Sequence, residues 1–350
     1  MKYQHILSYV ASTLWGILPA KFHELLAVLA SRAAGHEFTA AEIRARIGDN
    51  SESSELSQQG MIAIVPLRGV IAHRMGGMQD SSGGMSTERF QAMFRQAMAN
   101  EQVHTIVIDV DSPGGTIPGV QEAAAEVFAA RGQGKRIVAV ANSLCASAAY
   151  WLASQADEIV CIPSGLVGSI GVFTAHEDLS AMLEKEGIDI TLISAGKFKT
   201  EGNPFEKLSE DGKAHLQGRV NDAYAQFTAD VARGRGVSVK DVQDGYGQGR
   251  ALAAKDAKKA GLIDRIETMD ALLAREMKGR KAARGGIRAE MVERGGVLGY
   301  WVDESTAPTA ASTKLARIEM AQRVEAFQAA NPELATADAD ADRRRRLERF

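Results

Sequence analysis

Cysteine is scarce in this sequence, and long apolar runs are missing. Only Cys145 and Cys161 occur among the 350 residues, both in apolar surroundings, so a disulfide framework is not indicated and a reducing compartment is favoured. The apolar stretch from Ile6 to Leu18 is shorter than the roughly 20 apolar residues that a bilayer-spanning helix needs. It also lacks a clear cleavage site for export. We expect a packed N-terminal helix there and no membrane segment.

A surplus of charge of either sign is also missing. The chain carries 41 basic and 44 acidic side chains, for a formal net charge of −3. Because nucleic acids and anionic membranes attract a surplus of positive charge, neither partner is expected. No cluster of histidine, cysteine and acidic residues has metal-ligand spacing, and no Gly-x-Gly-x-x-Gly motif follows the first predicted strand. We therefore expect no metal and no cofactor.

The chain divides into three zones. Residues 1–57 have helical patterns and end in a polar linker. Residues 58–278 alternate strand and helix signals, and we assign them to one domain. Residues 279–350 form a C-terminal extension that we expect to be partly flexible, with one more helix.

β-branched apolar runs in the middle zone predict strands. They lie at 61–70, 105–110, 136–140, 158–162 and 188–193. Helical segments alternate with these runs, the longest from about 209 to 232. Alternation of this kind predicts an α/β fold in which most strands run parallel.

The segment Asp111–Gly115, Asp-Ser-Pro-Gly-Gly, directly follows the predicted strand at 105–110. Proline fixes φ, and glycine lets the backbone approach a ligand closely, so amide N–H groups can point outward without hindrance. Such amides stabilise the oxyanion that forms when a carbonyl carbon is attacked. A plain strand-ending turn would use the same residues.

Ser147 lies among small residues where a loop enters a predicted helix. Small neighbours let a carbonyl group approach the hydroxyl, and free N–H groups at a helix start favour a developing negative charge. The same small residues would also suit close helix packing. Cys145 is an alternative nucleophile, but an apolar loop without a basic neighbour more often holds an unreactive thiol.

Two later segments carry groups that could assist a nucleophile. Lys197 and Lys199 flank Phe198 in a loop after the predicted strand at 188–193. Burial lowers the pKa of a lysine amine, which can then act as general base for serine. Two solvated loop lysines are the alternative. Ser169, in a Gly-Ser-Ile-Gly segment, could hold a lysine amine by a hydrogen bond or could cap a turn.

The order of these four segments resembles the signal peptide peptidase A family of serine peptidases. Within that family it is most similar to the phage branch, the minor capsid protein C type of head-maturation protease. The resemblance covers roughly residues 60 to 270 and ends in the segment Ala257–Asp264. It implies a Clp protease/crotonase-like ββα spiral, here with an N-terminal helical segment and a C-terminal extension. Cellular members usually carry a membrane anchor in the N-terminal zone, and we expect none here.

The resemblance implies a Ser/Lys dyad. Ser147 corresponds to the family's nucleophile, and Lys199, rather than Lys197, corresponds to its general base. Ser169 falls where a serine supports the lysine. Related Clp-type peptidases use histidine as the base, and His176 is the histidine at a suitable distance after the serine. A surface histidine at a helix start is the alternative for that residue.

The resemblance also implies an oxyanion hole made of backbone amides. Gly114 and Ala148 correspond to the donors, with Gly115 adjacent. The family commonly has Gly-Gly after the nucleophile, whereas this chain has Ala148 and Ala149. Alanine keeps the N–H donor and adds only a methyl group. We therefore expect activity with a narrower substrate channel.

The function implied is that of an endopeptidase acting on scaffold and capsid proteins, and on itself where self-cleavage occurs. Its expected location is the viral procapsid in the host-cell cytoplasm. A ring-like homo-oligomer is implied, because the serine and lysine of this family can come from neighbouring protomers. Contacts with portal or capsid proteins are compatible with that role.

Three other functions remain open. One is a cellular peptidase that degrades signal peptides. Another is an acyl-CoA enzyme of the crotonase type, whose oxyanion amides would serve an enolate and which would not need Ser147 or Lys199. The third is a non-catalytic capsid assembly protein that interacts through its C-terminal extension. There an apolar helical face is formed by Leu315, Ile318, Val324 and Phe327. The basic run Arg343–Arg346 is expected to be a solvated end.

Overall fold

The computed structural model describes residue 10 and residues 13–33, 55–75, 84–285, 289–294 and 297–302. The apolar face and the basic run predicted in the C-terminal extension lie outside these residues. The chain divides into two compact units, residues 1–276 and 277–350. Each unit is described by itself.

The described strands of the first unit form two sheets. The strands are β1 (Trp15–Ile17), β2 (Ser57–Gln59), β3 (Ile62–Arg68), β4 (Ile71–Ala72), β5 (Met85–Ser86), β6 (Thr105–Ser112), β7 (Gly114–Thr116), β8 (Arg136–Ala146), β9 (Glu158–Cys161), β10 (Leu166–Gly168), β11 (Ala251–Ala253) and β12 (Arg265–Ile266). The larger sheet has the order β11-β10-β8-β6-β3-β2, with β9 paired to β8 and β12 paired to β9. The smaller sheet has the order β1-β7-β4-β5.

Helices connect most of the strands. They are α1 (Pro19–Ala33), α2 (Thr87–Ala99), α3 (Val120–Ala129), α4 (Ala148–Ala153), α5 (Ser180–Lys185), α6 (Glu210–Arg235), α7 (Val239–Gly245), α8 (Ala254–Ala260) and α9 (Met269–Gly285). Among the residues that the structure describes, no helix combines the length and apolar character that crossing a membrane requires. In the second unit, β13 (Ala289–Arg294) pairs antiparallel with β14 (Val297–Val302).

Parallel pairing of β3, β6, β8 and β10 forms the centre of the larger sheet. β6 is buried along almost its whole length, as expected for a β-branched strand covered on both faces. The chain twice passes from a strand of the larger sheet through short strands of the smaller sheet into a helix, as β3-β4-β5-α2 and β6-β7-α3. The second passage is a ββα unit and the first has one further short strand, so the predicted Clp protease/crotonase-like α/β fold is confirmed.

Two local predictions differ from the structure. The strand predicted at 188–193 is wrong, because this segment has no regular secondary structure. Its apolar side chains are exposed, Ile193 by 96%, and among the described residues they join no core cluster that would fix a strand. Residues 15–17, expected within a helix, form β1, because their backbone groups pair with β7.

A buried carboxylate joins several elements of the larger sheet. Glu158 in β9 is only 5% exposed and accepts hydrogen bonds from Arg136, Arg265 and Arg275. The Arg265 bond measures 2.6 Å and the Arg275 bond 3.1 Å. Burial of a carboxylate is costly unless charged donors surround it. The cluster therefore fixes how β8, β9, β12 and the start of α9 meet.

We expect Glu158→Gln to lower the free energy of unfolding by about 2–4 kcal/mol, because three arginines lose the anion that they share. Urea unfolding followed by circular dichroism measures the change. Glu101→Gln is the matched control, since Glu101 is exposed and its neutralisation should cost less than about 0.5 kcal/mol. Equal losses in both variants would contradict a structural role for the cluster.

Candidate functional site

The carboxyl ends of β6, β8 and β10 meet at one place. After a register shift Ser112 pairs with Cys145, and one residue later Ala146 pairs with Gly168. Because the three strands are neighbours in a parallel sheet, the loops that follow them adjoin. The structure therefore brings together three of the four predicted motifs: the Pro-Gly-Gly turn, the Ser147 segment and the Gly-Ser-Ile-Gly segment.

Ser147 forms the sharp turn between β8 and α4. Its φ of 56° and ψ of −120° lie in a region that non-glycine residues rarely adopt. Such a conformation costs about 1–3 kcal/mol and persists only where the surroundings determine it. The Ser147 N–H donates to the Gly168 carbonyl at 2.7 Å, and its hydroxyl donates to the Gly171 carbonyl at 3.3 Å. A strained strand-to-helix turn of this kind presents a serine hydroxyl at the end of a sheet.

Helix α4 is held in place behind Ser147 by two large side chains that are fully buried. The Tyr150 hydroxyl donates to the Leu262 carbonyl at 2.8 Å. The indole N–H of Trp151 donates to Asp230 at 2.8 Å, and its ring stacks on Phe227 with centroids 4.6 Å apart. These contacts attach α4 to α6 and to the turn after α8. The position of Ser147 is therefore determined by the core.

The predicted oxyanion donors lie beside Ser147. Gly114 has a φ of 94°, and a Cβ placed on it would lie 3.0 Å from the Ala148 nitrogen. Ala148 is the first residue of α4, so its N–H has no acceptor within the helix. The Gly114 N–H donates to the Ser112 hydroxyl at 3.1 Å. Of these two predicted donors, the Ala148 amide is therefore the one whose N–H is better placed to bind a developing oxyanion, because the Gly114 N–H already donates to Ser112. Gly115, in β7, follows directly.

The predicted bases are not brought to Ser147 within one chain. Lys199 is exposed, and among the described residues no hydrogen bond joins it to Ser147. The neighbouring Lys197 places its Nζ 4.6 Å from the centroid of the Phe198 ring. The Nε2 atom of His176 lies 3.0 Å from the Asn203 carbonyl oxygen. Among the described contacts, none therefore joins Lys199 or His176 to Ser147.

Ser169 occupies the turn that follows β10. It is 4% exposed, has a φ of 54°, and donates its N–H to the Arg250 carbonyl at 2.9 Å. Its neighbour Gly168 accepts the hydrogen bond from the Ser147 N–H. Ser169 therefore lies in the same strained turn cluster as the predicted nucleophile, and its role toward a lysine stays a prediction.

The two thiols of the chain are unsuited to act as nucleophiles. Cys145 is fully buried, and burial raises the pKa of its thiol well above the ordinary value. Burial also raises the pKa of Cys161 to about 11. Because the thiolate is the reactive form, neither cysteine competes with Ser147 at neutral pH.

Asp111 lies near the end of β6, next to the site. Its half-buried carboxylate lies near Leu144 and Ser143, which both lower its pKa. Burial raises the pKa of Asp111 above its ordinary value, although Arg68 opposes that shift.

One element of the site was missed by the sequence analysis. Strand β1 passes directly over Ser147, and a Cβ placed on Gly16 would lie 3.3 Å from the Ser147 Oγ and 3.5 Å from the Ala148 nitrogen. An aromatic and a β-branched residue around a glycine, Trp15-Gly16-Ile17, were the available signal. Three such residues are too few to indicate a strand within a segment whose other residues predict a helix.

Comparison with known proteins gives a family match over part of the chain. Residues 129–283, which include both Ser147 and Lys199, match the model of Peptidase family S49. This segment is therefore similar to peptidase family S49. The predicted resemblance to signal peptide peptidase A and its phage branch is thereby confirmed.

Proteins similar to this chain come from phages and from cells. The head-tail preconnector protein GP5 of Enterobacteria phage P21 is 31% identical over 81% of this chain and 58% of its own length. Capsid assembly protease C of Escherichia phage lambda is 32% identical over 68% of this chain and 55% of its own length. A putative signal peptide peptidase SppA of Enterococcus faecium is 25% identical over 74% of this chain and 76% of its own length.

The chain spans little more than half the length of the two phage relatives. Among solved structures, a mutant of ClpP1 from Listeria monocytogenes aligns with a TM-score of 0.36 and 12% identity. The alignment covers 60% of this chain and 94% of that one.

We expect the native chain to show no fast-reacting thiol, because both cysteines are fully buried. Titration with a chromogenic disulfide reagent at pH 8 measures this, and both thiols should react promptly once the chain is unfolded in guanidinium. A stoichiometric fast reaction of the folded chain would contradict the described burial and would reopen Cys145 as a nucleophile.

Proposed function

We propose that this chain is a serine endopeptidase in which Ser147 is the nucleophile and Lys199 is the general base. The observation that carries the proposal is the strained turn at Ser147, placed beside the Ala148 amide and the Gly114 backbone. The match of residues 129–283 to Peptidase family S49 supports peptide-bond hydrolysis. The assignment of Lys199 rests on the motif that it shares with the family.

In the proposed reaction, the Ser147 Oγ attacks the carbonyl carbon of the substrate while its proton passes to the neutral amine of Lys199. The Ala148 amide stabilises the oxyanion, and loss of one such donor typically costs a factor of about 10²–10³ in rate. Lys199 then protonates the leaving amine. Water attacks the resulting ester with proton transfer back through Lys199, which releases the acid product and restores Ser147.

We infer further that Lys199 acts on the Ser147 of a neighbouring copy. Lys199 is exposed and lies on a segment with a run of exposed apolar side chains. Exposure reaches 96% at Ile193 and 56% at Phe198. Contiguous exposed apolar surface is typical of protein interfaces. Contact with a second copy would cover this segment and bury the lysine, and burial favours the neutral amine that a general base requires.

The proposed substrates are scaffold and capsid proteins of a phage procapsid. The support is the sequence similarity to two phage proteins, one a head-tail preconnector protein and the other a capsid assembly protease. A ring of copies inside a procapsid would confine the active sites to the proteins enclosed with them. Degradation of signal peptides is the alternative that the SppA relative supports.

We expect Ser147→Ala and Lys199→Ala each to reduce casein cleavage by a factor on the order of 10⁴, because the two groups act as one unit. Intact-mass analysis of the chain and of the casein products measures the loss. Lys197→Ala is the matched control and should keep most of the activity.

Three results would contradict parts of this proposal. Full activity in Ser147→Ala would show that Ser147 is not the nucleophile. Loss in Ser147→Ala but not in Lys199→Ala would move the base to another residue, with His176 the next candidate. Equal loss in Lys197→Ala and Lys199→Ala would indicate a general effect on the loop.

Mixing the two inactive variants tests the shared dyad. If Lys199 serves a neighbouring Ser147, subunit exchange between Ser147→Ala and Lys199→Ala chains pairs an intact serine with an intact lysine, and a measurable fraction of activity returns. Casein cleavage before and after mixing is the readout, with wild type mixed with Ser147→Ala as the exchange control. Exchange without recovery would place the dyad within one chain.

A further inference from the structure

Strand β1 lies in a cleft between two extended segments of the site. On one edge it pairs antiparallel with β7, and the Ile117 N–H donates to the Leu14 carbonyl at 3.2 Å. On the other edge, the Trp15 N–H donates to the Phe173 carbonyl at 2.8 Å, and the Phe173 N–H donates back to the Trp15 carbonyl at 3.0 Å. The strand is therefore hydrogen-bonded on both edges, as a peptide is when a protein binds it by strand addition.

The middle of this strand lies at the reacting groups. A Cβ on Gly16 would be 3.3 Å from the Ser147 Oγ. The Gly16 carbonyl oxygen lies only 2.1 Å from the position that a Cβ on Gly114 would take, and that same position is 3.0 Å from the Ala148 nitrogen. The Gly16 carbonyl thus lies between Gly114 and Ala148, where the proposed mechanism places the carbonyl of a substrate.

Packing outside the cleft holds the strand there. The Trp15 ring lies 5.4 Å from the Phe22 ring, and the Phe22 ring lies 5.1 Å from the Phe173 ring, centroid to centroid. The Trp15 indole N–H also donates to the Val10 carbonyl at 2.7 Å. Phe22 belongs to α1, the helix that follows β1, so this aromatic cluster links the strand and its helix to the segment that borders the cleft.

We propose that β1 is an inhibitory strand: the chain fills its own substrate cleft with Trp15–Ile17, and a substrate can bind only when this strand has left. The inference rests on the proposed function, since it takes the cleft over Ser147 as the place where a peptide binds. Only one extended peptide fits between β7 and Phe173, so strand and substrate exclude each other. The apparent affinity for substrate is then reduced by the fraction of chains in which the cleft is open.

Gly16→Ile tests the proposal without altering the groups at the reaction centre. The added side chain would start 3.0 Å from Ile117 and 3.3 Å from the Ser147 Oγ, so it cannot be accommodated while β1 stays in the cleft. We expect casein cleavage to rise about tenfold or more, because the open fraction increases. Gly218→Ile is the matched control, since a Cβ on Gly218 meets open space, and its cleavage rate should equal that of the wild type.

Hydrogen exchange provides a second readout that needs no catalysis. The amides of Ile117 and Phe173 should be protected in wild type and in Ser147→Ala, because the carbonyls of Leu14 and Trp15 are their acceptors. In Gly16→Ile their exchange should become at least about tenfold faster. Trp15→Ala, which removes the aromatic anchor instead of blocking the cleft, should have the same two effects.

The possible results separate this inference from the proposed function. Equal cleavage by wild type and Gly16→Ile would overturn inhibition and leave the peptidase intact. Fast exchange of both amides in wild type would show that β1 does not occupy the cleft. An intact mass showing wild type cut after Gly16 would make the strand a substrate instead of an inhibitor. No cleavage by any form would overturn the peptidase, and inhibition with it.

Discussion

The strained backbone of Ser147 is the constraint on which the rest of the site depends. A positive φ at a serine is unfavourable, so the surrounding contacts must determine it. On one side the Gly168 carbonyl accepts the Ser147 N–H, and on the other the buried Trp151 holds the following helix against Asp230. The sheet and helix α6 thereby fix where the hydroxyl lies, independently of the exposed loops.

The proposed dyad residues differ in how firmly the fold of one chain holds them. The proposed nucleophile Ser147 and the Ala148 amide lie at the start of helix α4, all of whose residues are buried. Lys199 lies on an exposed segment whose apolar side chains belong to none of the core clusters in the described part of the chain. This arrangement, with Ser147 fixed by the core and Lys199 exposed, is compatible with the proposed dyad shared between copies. The proposed assembly would complete the chemistry and cover the apolar segment in one step.

The sequence predicted what local patterns can encode. β6 was recognised because its β-branched residues are buried on both faces, and the turns around Gly114 and Ser147 were recognised by their small residues. The strand at 188–193 was predicted wrongly because a β-branched run does not encode a pairing partner. Strand β1 was missed because three residues form a strand only through β7, which lies almost 100 residues further along the chain. Long-range pairing, not local propensity, decided both cases.

The measurement that tests the central claim most directly is peptide mapping of the adduct formed with an organophosphonate that labels activated serines. The account predicts one adduct per chain, on Ser147, and its loss when Lys199 is replaced by alanine in the assembled protein. An adduct on Ser143 or Ser169, or labelling of Ser147 that does not respond to Lys199, would contradict it. The result depends on neither the natural substrate nor the cleavage specificity, because the reagent reports only the activated hydroxyl.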